Sequence, residues 1–420
     1  MHSEYDVVVA GGGTAGVVAA VQAGRAGART LLVERAGVLG GTMVAAAINY
    51  PASFHAWGRQ VIAGIGWELV CKTLRETGQP VPDGTACTHG AGLLHVPVDR
   101  AVFAALADEA VVGAGVDMLL HTMPAAAGRH TGGWNLTLCT KTGLKDVRAR
   151  VLVDCTGDAN LVSLAGLPVR RVTVRQPGTL FVTVGGYDAN ALDYPAIQTA
   201  FDGAVAQGRL RKSDVGWQNG NAEFFLRSYG GNRIHVVDID GADSESRTVA
   251  ELEGRRAMLR LLRFFRALKG LEDLRIQFFA DECGIRETVT IEGRKTITAH
   301  DYESGRVWDD AVCYSHYCVD VHCDTRVFHR NLPQGVCATI PLGAMLPAGG
   351  EGLIVAGRCI SGDREAHSAY RVEATCMATG QAAGAAAALA AKAGVNVGQV
   401  PLADLRSLLR AHGAIVPGEA

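Results

Sequence analysis

The sequence has almost no net charge and no long apolar run. Its 40 basic and 42 acidic residues leave a formal net charge of −2, so no overall field selects nucleic acid or an anionic membrane as partner. No apolar window reaches about 20 residues without a charge. Even the alanine-rich run 382–391 is short and is followed by Lys392. We therefore expect neither a nucleic-acid partner nor a membrane span.

The eleven cysteines include no CxxC pair, and residues 1–4 carry no basic or apolar segment of a secretory signal. In a reducing compartment most of these cysteines are expected to be buried thiols. The first predicted core strand also begins at once, so we expect a cytoplasmic protein.

What the chain does have is a glycine fingerprint near its start. Residues 6–10 form a short β-branched run typical of a buried parallel strand, and three glycines follow it. Gly11, Gly13 and Gly16 make a GxGxxG pattern that opens a helix. The first glycine permits a tight turn, the second lets the backbone approach a pyrophosphate, and the third allows close helix packing.

A second predicted strand, 30–33, ends at Glu34, whose carboxylate is placed to accept from both hydroxyls of an adenosine ribose. Strand, glycines, helix, second strand and acid share one unit of about 30 residues, the context that the fingerprint requires. The unit predicts a dinucleotide site. The alternative is a glycine turn that packs a helix without a ligand. A further glycine loop, 37–42, would approach the same ligand.

The predicted elements divide the 420 residues into three parts. In the first part, helical spacing and strand patterns follow one another around a loop-rich excursion, 53–95, expected near the ligand. Its further predicted elements are helices 56–77 and 99–112, a loop over 79–95, and strands 116–122, 134–139 and 147–154. The middle part has predicted strands 171–184, 232–239 and 311–321 and an amphipathic helix, 248–268. The last part has a strand, 352–356, and a helix, 372–393.

These patterns predict an α/β fold with a Rossmann-type nucleotide domain and an inserted, mainly β-sheet substrate domain. The nucleotide domain would be discontinuous. Its first part spans residues 1–165, the inserted domain spans 166–335, and the C-terminal part of the nucleotide domain spans 336–420.

Six motifs spread over both ends and the middle of the chain carry a family resemblance: YDVVVAGGGTAG, VERAGVLGGT, VDCTGDA, GIRET, YCVDVH and GLIVAGRCISGDREAHSAYRVEATCMATGQAAG. Together they resemble the FAD-dependent oxidoreductases of the glutathione-reductase-like, two-domain fold. The resemblance implies FAD as the cofactor and names no substrate. The cofactor-binding residues that it implies are Gly11, Gly13, Thr14, Ala15, Gly16, Glu34, Arg35, Gly41, Thr42, Met123, Gly157, Asp158, Gly362 and Asp363.

Two features of related reductases are missing from the sequence. There is no second glycine-rich fingerprint for NAD(P)H between Val151 and Gly335, and no redox-active CxxC. A disulfide reductase is therefore disfavoured, and no dedicated nicotinamide domain is predicted.

The stretch AVCYSHYCVDVHC, residues 311–323, is the main candidate for chemistry. Strand alternation would place Tyr314, His316, Cys318, Asp320 and His322 on one face. Asp320 and His322 are same-face neighbours, so the carboxylate can orient the imidazole as a base. A purely structural hydrogen bond is the main alternative. A metal site from these histidines and Cys318 would need another ligand from elsewhere.

Further candidates are the basic residues Arg286, Arg358, Arg364, His367 and Arg371. An arginine here could anchor an acidic substrate or offset negative charge on reduced flavin. The alternative is an ion pair with a neighbour such as Glu287, Glu365 or Glu373. We also expect the last long helix to point its N-terminus, near Arg371 and Val372, at the flavin pyrimidine ring.

The favoured function is an FAD enzyme that takes a hydride from a small organic substrate and passes electrons to oxygen or another acceptor. A second hypothesis is an NAD(P)H-fed flavin monooxygenase or reductase. A third is an RNA-modifying FAD protein that uses the basic stripe of helix 248–268, although a solvated face explains that stripe more simply. The stripe consists of Arg255, Arg256, Arg260, Arg263 and Arg266.

Overall fold

The computed structural model describes residues 2–84 and 96–418. Its strands are β1 (Glu4–Ala10), β2 (Thr30–Val33), β3 (His55–Ala56), β4 (Arg59–Gln60), β5 (Asp117–Leu119), β6 (Met123–His130), β7 (Gly133–Thr140), β8 (Gly143–Asp154), β9 (Val169–Arg171), β10 (Gly178–Gly185), β11 (Gly230–Val236), β12 (Arg275–Phe279), β13 (Val289–Ile291), β14 (Ala311–Ser315), β15 (Val319–His322), β16 (Val327–Arg330), β17 (Ala338–Pro341) and β18 (Leu353–Val355). Its helices are α1 (Thr14–Arg25), α2 (Ile65–Glu76), α3 (Arg100–Gly113), α4 (Asn160–Leu164), α5 (Tyr194–Ala206), α6 (Ala222–Arg227), α7 (Ser244–Phe265), α8 (Ala299–Glu303), α9 (Arg364–Tyr370), α10 (Glu373–Ala393) and α11 (Leu402–Ala411).

A seven-stranded sheet carries the first and last parts of the chain. β1 lies between β2 and β8, β5 lies beyond β2, and all four strands run parallel. β18 joins the carboxyl end of β8 in parallel, with Leu353 opposite Leu152, while the earlier residues of β8 pair antiparallel with β7. The α/β fold with a Rossmann-type parallel sheet is therefore confirmed. The strand from the end of the chain completes the sheet that its beginning starts.

Helices α1 and α10 lie side by side at very short distance. A Cβ atom on Gly380 would lie 2.2 Å from the carbonyl oxygen of Ala15, and one on Gly384 would lie 2.2 Å from that of Ala19. Both contacts advance by four residues, so the helices run parallel. Glu373, the first residue of α10, precedes Gly380 by seven residues. At a rise of 1.5 Å per residue, α10 therefore begins roughly 10 Å before the position along the two helix axes where Gly380 meets Ala15.

A second, three-stranded antiparallel sheet has the order β11-β10-β12. Helices α5, α6 and α7 contribute to its separate hydrophobic core, which contains Ala47 and residues between Leu180 and Ile285. Buried apolar residues from Val289 onward belong to the core of the large sheet instead. The predicted inserted domain, 166–335, thus contributes to both cores, and its bounds stay a prediction.

The predicted helix 56–77 is wrong in its first part. It begins at Ile65, because Trp57 and Gly58 adopt positive φ angles of 55° and 72° in the turn between β3 and β4. Such angles are incompatible with a right-handed helix. Residues 85–95 of the predicted loop 79–95 lie outside the described residues.

Two long predicted strands are each divided in two. The stretch 311–321 forms β14, which pairs with β17, and β15, which pairs with β16, so His316 does not share a strand with Asp320 and His322. In the stretch 171–184, Arg171 ends β9 and β10 begins only at Gly178, directly after Pro177, whose missing N–H cannot join a ladder. The other predicted elements have small boundary differences.

The buried face of helix α7 consists mainly of small residues. Leu252 and Leu259 are 43% and 40% exposed. The buried side chains are Ala250, Gly254, Ala257, Leu261 and Phe265. In the described part of the chain no helix combines the length and apolar character needed to cross a membrane. Most of the described cysteines are buried free thiols, as expected.

We predict opposite stability effects for two helical Gly→Ala changes. Gly384→Ala should lower the free energy of unfolding by about 1–3 kcal/mol, because the new methyl group meets a backbone carbonyl of α1. Gly203→Ala in α5 should raise it by about 0.5–1 kcal/mol, because nothing lies within 4 Å of its Cβ position and alanine favours the helix. Urea unfolding measures both. Equal effects would contradict the close contact of α1 with α10.

Candidate functional site

A cavity of about 940 Å³ opens at the carboxyl ends of the parallel strands. Segments that directly follow β1, β2, β8 and β18 line one side, and residues of the second sheet and its loops line the other. The volume is in the range of small-molecule and cofactor sites, and the edge where parallel strands end is where such folds bind nucleotides.

The three fingerprint glycines are required for different reasons. Gly11 has a φ of 95°, and its Cβ would lie 2.4 Å from the carbonyl oxygen of Cys155. A Cβ on Gly16 would lie 1.7 Å from the carbonyl oxygen of Gly11. Gly13 has an ordinary φ of −68°, and its Cβ would meet nothing closer than Gly41 Cα at 3.8 Å. The fold itself therefore tolerates a side chain at Gly13, which lines the cavity.

The acid at the end of β2 is held by backbone amides. Glu34 accepts hydrogen bonds from the N–H groups of Gly12 (2.6 Å) and Ala36 (2.7 Å). Next to it, Arg35 pairs with Glu282 at 2.5 Å, and Glu282 also pairs with Arg247 at 3.2 Å. These side chains all line the cavity, so its end near β2 combines an oriented carboxylate with paired charges.

Arg358 joins the ends of β8 and β18. Its Nη2 donates to Asp158 at 2.6 Å, its Nε donates to the carbonyl oxygen of Gly157 at 3.0 Å, and Nη1 donates to the carbonyl oxygen of Ile285. Asp158 is thus neutralised, and the loop after β8 is fixed against the cavity.

Asp320 and His322 form a buried pair on β15. Nε2 of His322 donates to Oδ2 of Asp320 at 3.1 Å, and Nδ1 of His322 has no hydrogen-bond partner among the described residues. Burial and the charge of Arg286 lower the pKa of His322 to about 3, although Asp320 opposes them. The imidazole is therefore neutral at pH 7, and the carboxylate fixes the tautomer that leaves Nδ1 as an acceptor.

The side chains of Arg371 and His329 lie beside Asp320. Arg371 Nη2 lies 3.3 Å from Oδ2, and His329 Nε2 lies 3.5 Å from Oδ1. Burial alone would raise the pKa of Asp320. The hydrogen bond from His322 and the charges of Arg371 and Arg286 nevertheless hold it well below its usual range. Asp320 is thus ionised when His322 is neutral.

Arg286 is buried and donates to the carbonyl oxygen of Pro177 (2.8 Å) and to Thr179 Oγ1 (2.6 Å). Within residues 2–84 and 96–418 Arg286 has no ion-pair partner. It therefore does not form the ion pair with Glu287 that was predicted as the alternative. Glu287 instead pairs with Arg364 at 3.4 Å. Burial and the charge of Arg371 lower the pKa of the Arg286 guanidinium to about 9.

Some predicted residues lie together and others do not. The predicted residues that line the cavity are Gly11, Gly13, Thr14, Ala15, Glu34, Arg35, Gly41, Thr42, Gly157, Asp158, Arg286, Asp320, His322, Arg358 and Arg371. Gly16, Met123, Gly362, Asp363 and His367 are not among the residues that line it.

The predicted residues away from the cavity have structural contacts. Met123 is 47% exposed at the start of β6, and Asp363 caps α9 through the N–H of Ala366. His367 is buried and its Nε2 donates to the carbonyl oxygen of Arg358 at 3.0 Å. The predicted excursion 53–95 also contributes no described residue to the lining, whereas residues 45–52 just before it do.

Sequence reasoning missed several cavity residues. Trp217 and Arg233 come from the second sheet and its loops and carry no motif. Glu373, at the start of α10, has both carboxylate oxygens buried without a partner among the described residues, and burial raises its pKa well above the usual range. The sequence analysis named Glu373 only as a possible ion-pair partner, and among the described residues it forms no such pair. Its position as the only charged residue between Arg371 and Lys392 could have marked it as a cavity residue.

No group of three or more His, Cys, Asp or Glu side chains within residues 2–84 and 96–418 could hold a metal ion. The donor set suits a nucleotide instead. The fit rests on the space in front of Gly13 that the chain leaves open, beside an oriented acid at the end of β2.

The model of one protein family, FAD dependent oxidoreductase, matches residues 6–409. No curated protein matches the sequence significantly. Among solved structures, a geranylgeranyl bacteriochlorophyll reductase-like protein of Thermoplasma acidophilum is 12% identical, with a TM-score of 0.46, over 97% of this chain and 83% of that one. The OxyS anhydrotetracycline hydroxylase of Streptomyces rimosus is 17% identical, with a TM-score of 0.31, over 43% of this chain. The match spans only 37% of the hydroxylase.

We predict that Gly13→Ala separates cofactor binding from folding. The apoprotein should keep the unfolding midpoint of the wild type, because the methyl group meets only ordinary contacts, while FAD retention should fall by at least about 10-fold. Gly16→Ala is the contrasting variant and should destabilise the apoprotein itself. FAD released on denaturation, per mole of folded protein, is the measurement. A Gly13→Ala protein that keeps full FAD content would contradict the assignment.

We predict that the buried His367 makes the folded protein less stable as the pH falls. Burial, followed by the charges of Arg371 and Arg358, lowers its pKa to about 3. Between pH 7 and pH 5 the unfolded chain therefore takes up a proton that the folded chain does not, and stability is lost as pH falls. His367→Gln should reduce this loss by about 2 kcal/mol. Urea unfolding at both pH values measures it.

The control for that measurement is His300→Gln, which removes an exposed histidine. This variant should show the same loss of stability between pH 7 and pH 5 as the wild type. An equal loss in His367→Gln and wild type would overturn the prediction.

Proposed function

Because this chain belongs to the FAD-dependent oxidoreductase family, with FAD as its cofactor, we propose that it oxidises a small organic substrate. When bound, FAD supplies the acceptor for the hydride that the substrate loses. The observation that carries the proposal is the His322–Asp320 pair, which lines the same cavity as Gly13 and Glu34.

We propose that the loop of Gly11 and Gly13 and the first turn of α1 hold the pyrophosphate. The N-cap residue of α1 is Gly13, which has no side chain to cap the first amides of the helix, and this suits amides that receive an anionic ligand. Glu34 would hold the adenosine ribose. Arg371, Val372 and Glu373 line the cavity about 10 Å beyond the start of α1, which supports placing the N-terminus of α10 beside the flavin ring.

His322 is proposed as the base for the proton that accompanies the hydride. Oxidation of an alcohol or amine carbon removes a hydride from carbon and a proton from oxygen or nitrogen, and Nδ1 of His322 is the acceptor for that proton. Asp320 holds the opposite ring nitrogen and stabilises the imidazolium that forms. It acts as a positioning residue.

His322→Gln should keep FAD but slow flavin reduction by about 10²-fold or more, the usual size of lost base catalysis. Asp320→Asn should have a smaller effect, because it only loosens the orientation of the ring. The measurement is anaerobic single-turnover reduction by a substrate identified among alcohols, amines and hydroxy acids.

The matched control is His316→Gln, which removes another buried histidine of low pKa, about 4, that is not among the cavity residues. Its reduction rate should stay close to that of the wild type. Unchanged rates in both His322→Gln and Asp320→Asn, with FAD retained, would reduce the pair to a structural hydrogen bond. Rapid reduction by NADPH alone would favour a nicotinamide-fed monooxygenase or reductase instead.

A further inference from the structure

Two arginines of the cavity wall have no acidic partner among the described residues. Arg286 is buried and bonds only to the neutral oxygens of Pro177 and Thr179. Arg233 stacks over the rings of Trp217 (4.8 Å) and Phe224 (3.8 Å), and its Nε is buried without a hydrogen bond. Burial lowers the pKa of Arg233 to about 10. A buried cation without a counter-charge is costly, so the Arg286 site calls for an anion, and the half-buried Arg233 adds a second positive charge to the same cavity wall.

The remaining arginines of the same cavity are already neutralised. Arg358 pairs with Asp158 and Arg371 with Asp320, while Arg35 and Arg247 share Glu282 and the charge of Glu34 also acts on Arg35. Glu373 does not pair with Arg286 or Arg233, because neither of its carboxylate oxygens has a partner among the described residues, and burial raises its pKa well above the usual range. The excess positive charge of the cavity is thus confined to these two residues.

The two arginines that carry this excess charge lie near His322 and not near the glycine loop. The charge of Arg286 acts on His322 and Asp320, and the ring of Trp217, under Arg233, lies 6.3 Å from the ring of His322. Arg371, next to Asp320, lies just before α10, whose N-terminus is roughly 10 Å from the position of Ala15 along the helix axes. A pyrophosphate at Gly13 would therefore leave the two arginines without their counter-ion.

We propose that Arg286 and Arg233 bind a carboxylate group of the substrate, so that the oxidised compound is an organic acid. The guanidinium fork matches a carboxylate, and Trp217 and Phe181 give the cavity apolar surface for an organic body. This inference rests on the proposed function, because it concerns the substrate of the same site. It adds the chemical class of that substrate and the residues that select it.

The test is equilibrium binding to the oxidised holoenzyme, without turnover. Acetate and phenylacetate are titrated while the visible spectrum of the flavin and the melting temperature are followed, with acetamide and phenylacetamide as neutral analogues of the same shape. We expect saturable binding of the carboxylates, at least about 10-fold tighter than that of the amides. Arg286→Gln and Arg233→Gln should each weaken it by at least about 10-fold with FAD content unchanged.

Arg247→Gln is the matched control, because this arginine lines the same cavity but is paired with Glu282. It should leave carboxylate affinity unchanged. If Arg286→Gln fails to fold, Arg233→Gln decides, since Arg233 donates no hydrogen bond within the described residues.

Three outcomes would overturn the inference: amides that bind as tightly as carboxylates, affinity independent of both arginines, or inorganic phosphate that binds more tightly than either carboxylate in an arginine-dependent way. The result is independent of the proposed base. Unchanged reduction in His322→Gln would remove that role and leave a positive carboxylate titration standing.

Discussion

The close approach of the α1 and α10 backbones is the constraint on which the cavity depends. Gly380 and Gly384 allow it, because any side chain there would meet a carbonyl oxygen of α1. The contact holds the two helices parallel and in a fixed register. Their N-termini therefore both border the cavity, and they are offset by about 10 Å along the helix axes. One N-terminus faces the fingerprint glycines and the other carries Arg371 and Glu373. A nucleotide cofactor has its charged groups at comparable separations, which is why two helix ends suit it better than one.

Positive and negative charges are unevenly distributed in the cavity, and this distribution affects the pKa of His322. Near β2 each arginine has an acid, whereas around His322 positive charge is in excess. The charge of Arg286 is one reason that the pKa of His322 is low. An anion bound to Arg286 would cancel part of that charge and raise the pKa of His322. If the substrate binds Arg286 as proposed, its binding and the basicity of His322 would be coupled through one guanidinium, and a neutral ligand would find a weaker base.

The sequence was most informative where local rules decide the structure. The fingerprint, Glu34, the strand at 30–33 and the start of α10 follow from glycine conformation, strand composition and helix ends, and the structure has them close to the predicted bounds. The sequence was least informative where contacts between distant segments of the chain decide the structure. Nothing local shows that β14 and β15 choose different partners, that Arg233 lies over Trp217, or that Met123 and Asp363 lie away from the cavity. On α7 the large residues Leu252 and Leu259 are exposed, while the buried face consists mainly of small residues that permit close packing.

The position of β18 has a consequence for the order in which the protein can assemble on the ribosome. β18 and α10 complete the parallel sheet and the cavity, yet they are synthesised roughly 200 residues after β8, or about 10–40 s later at typical translation rates. During that interval the nascent N-terminal segment carries an unpaired sheet edge at the end of β8 and an α1 surface without its partner. Such edges promote association with other chains. Chaperone demand should concentrate in this window, and cofactor capture should follow it, since the nucleotide pocket has its second wall only when the last strand arrives.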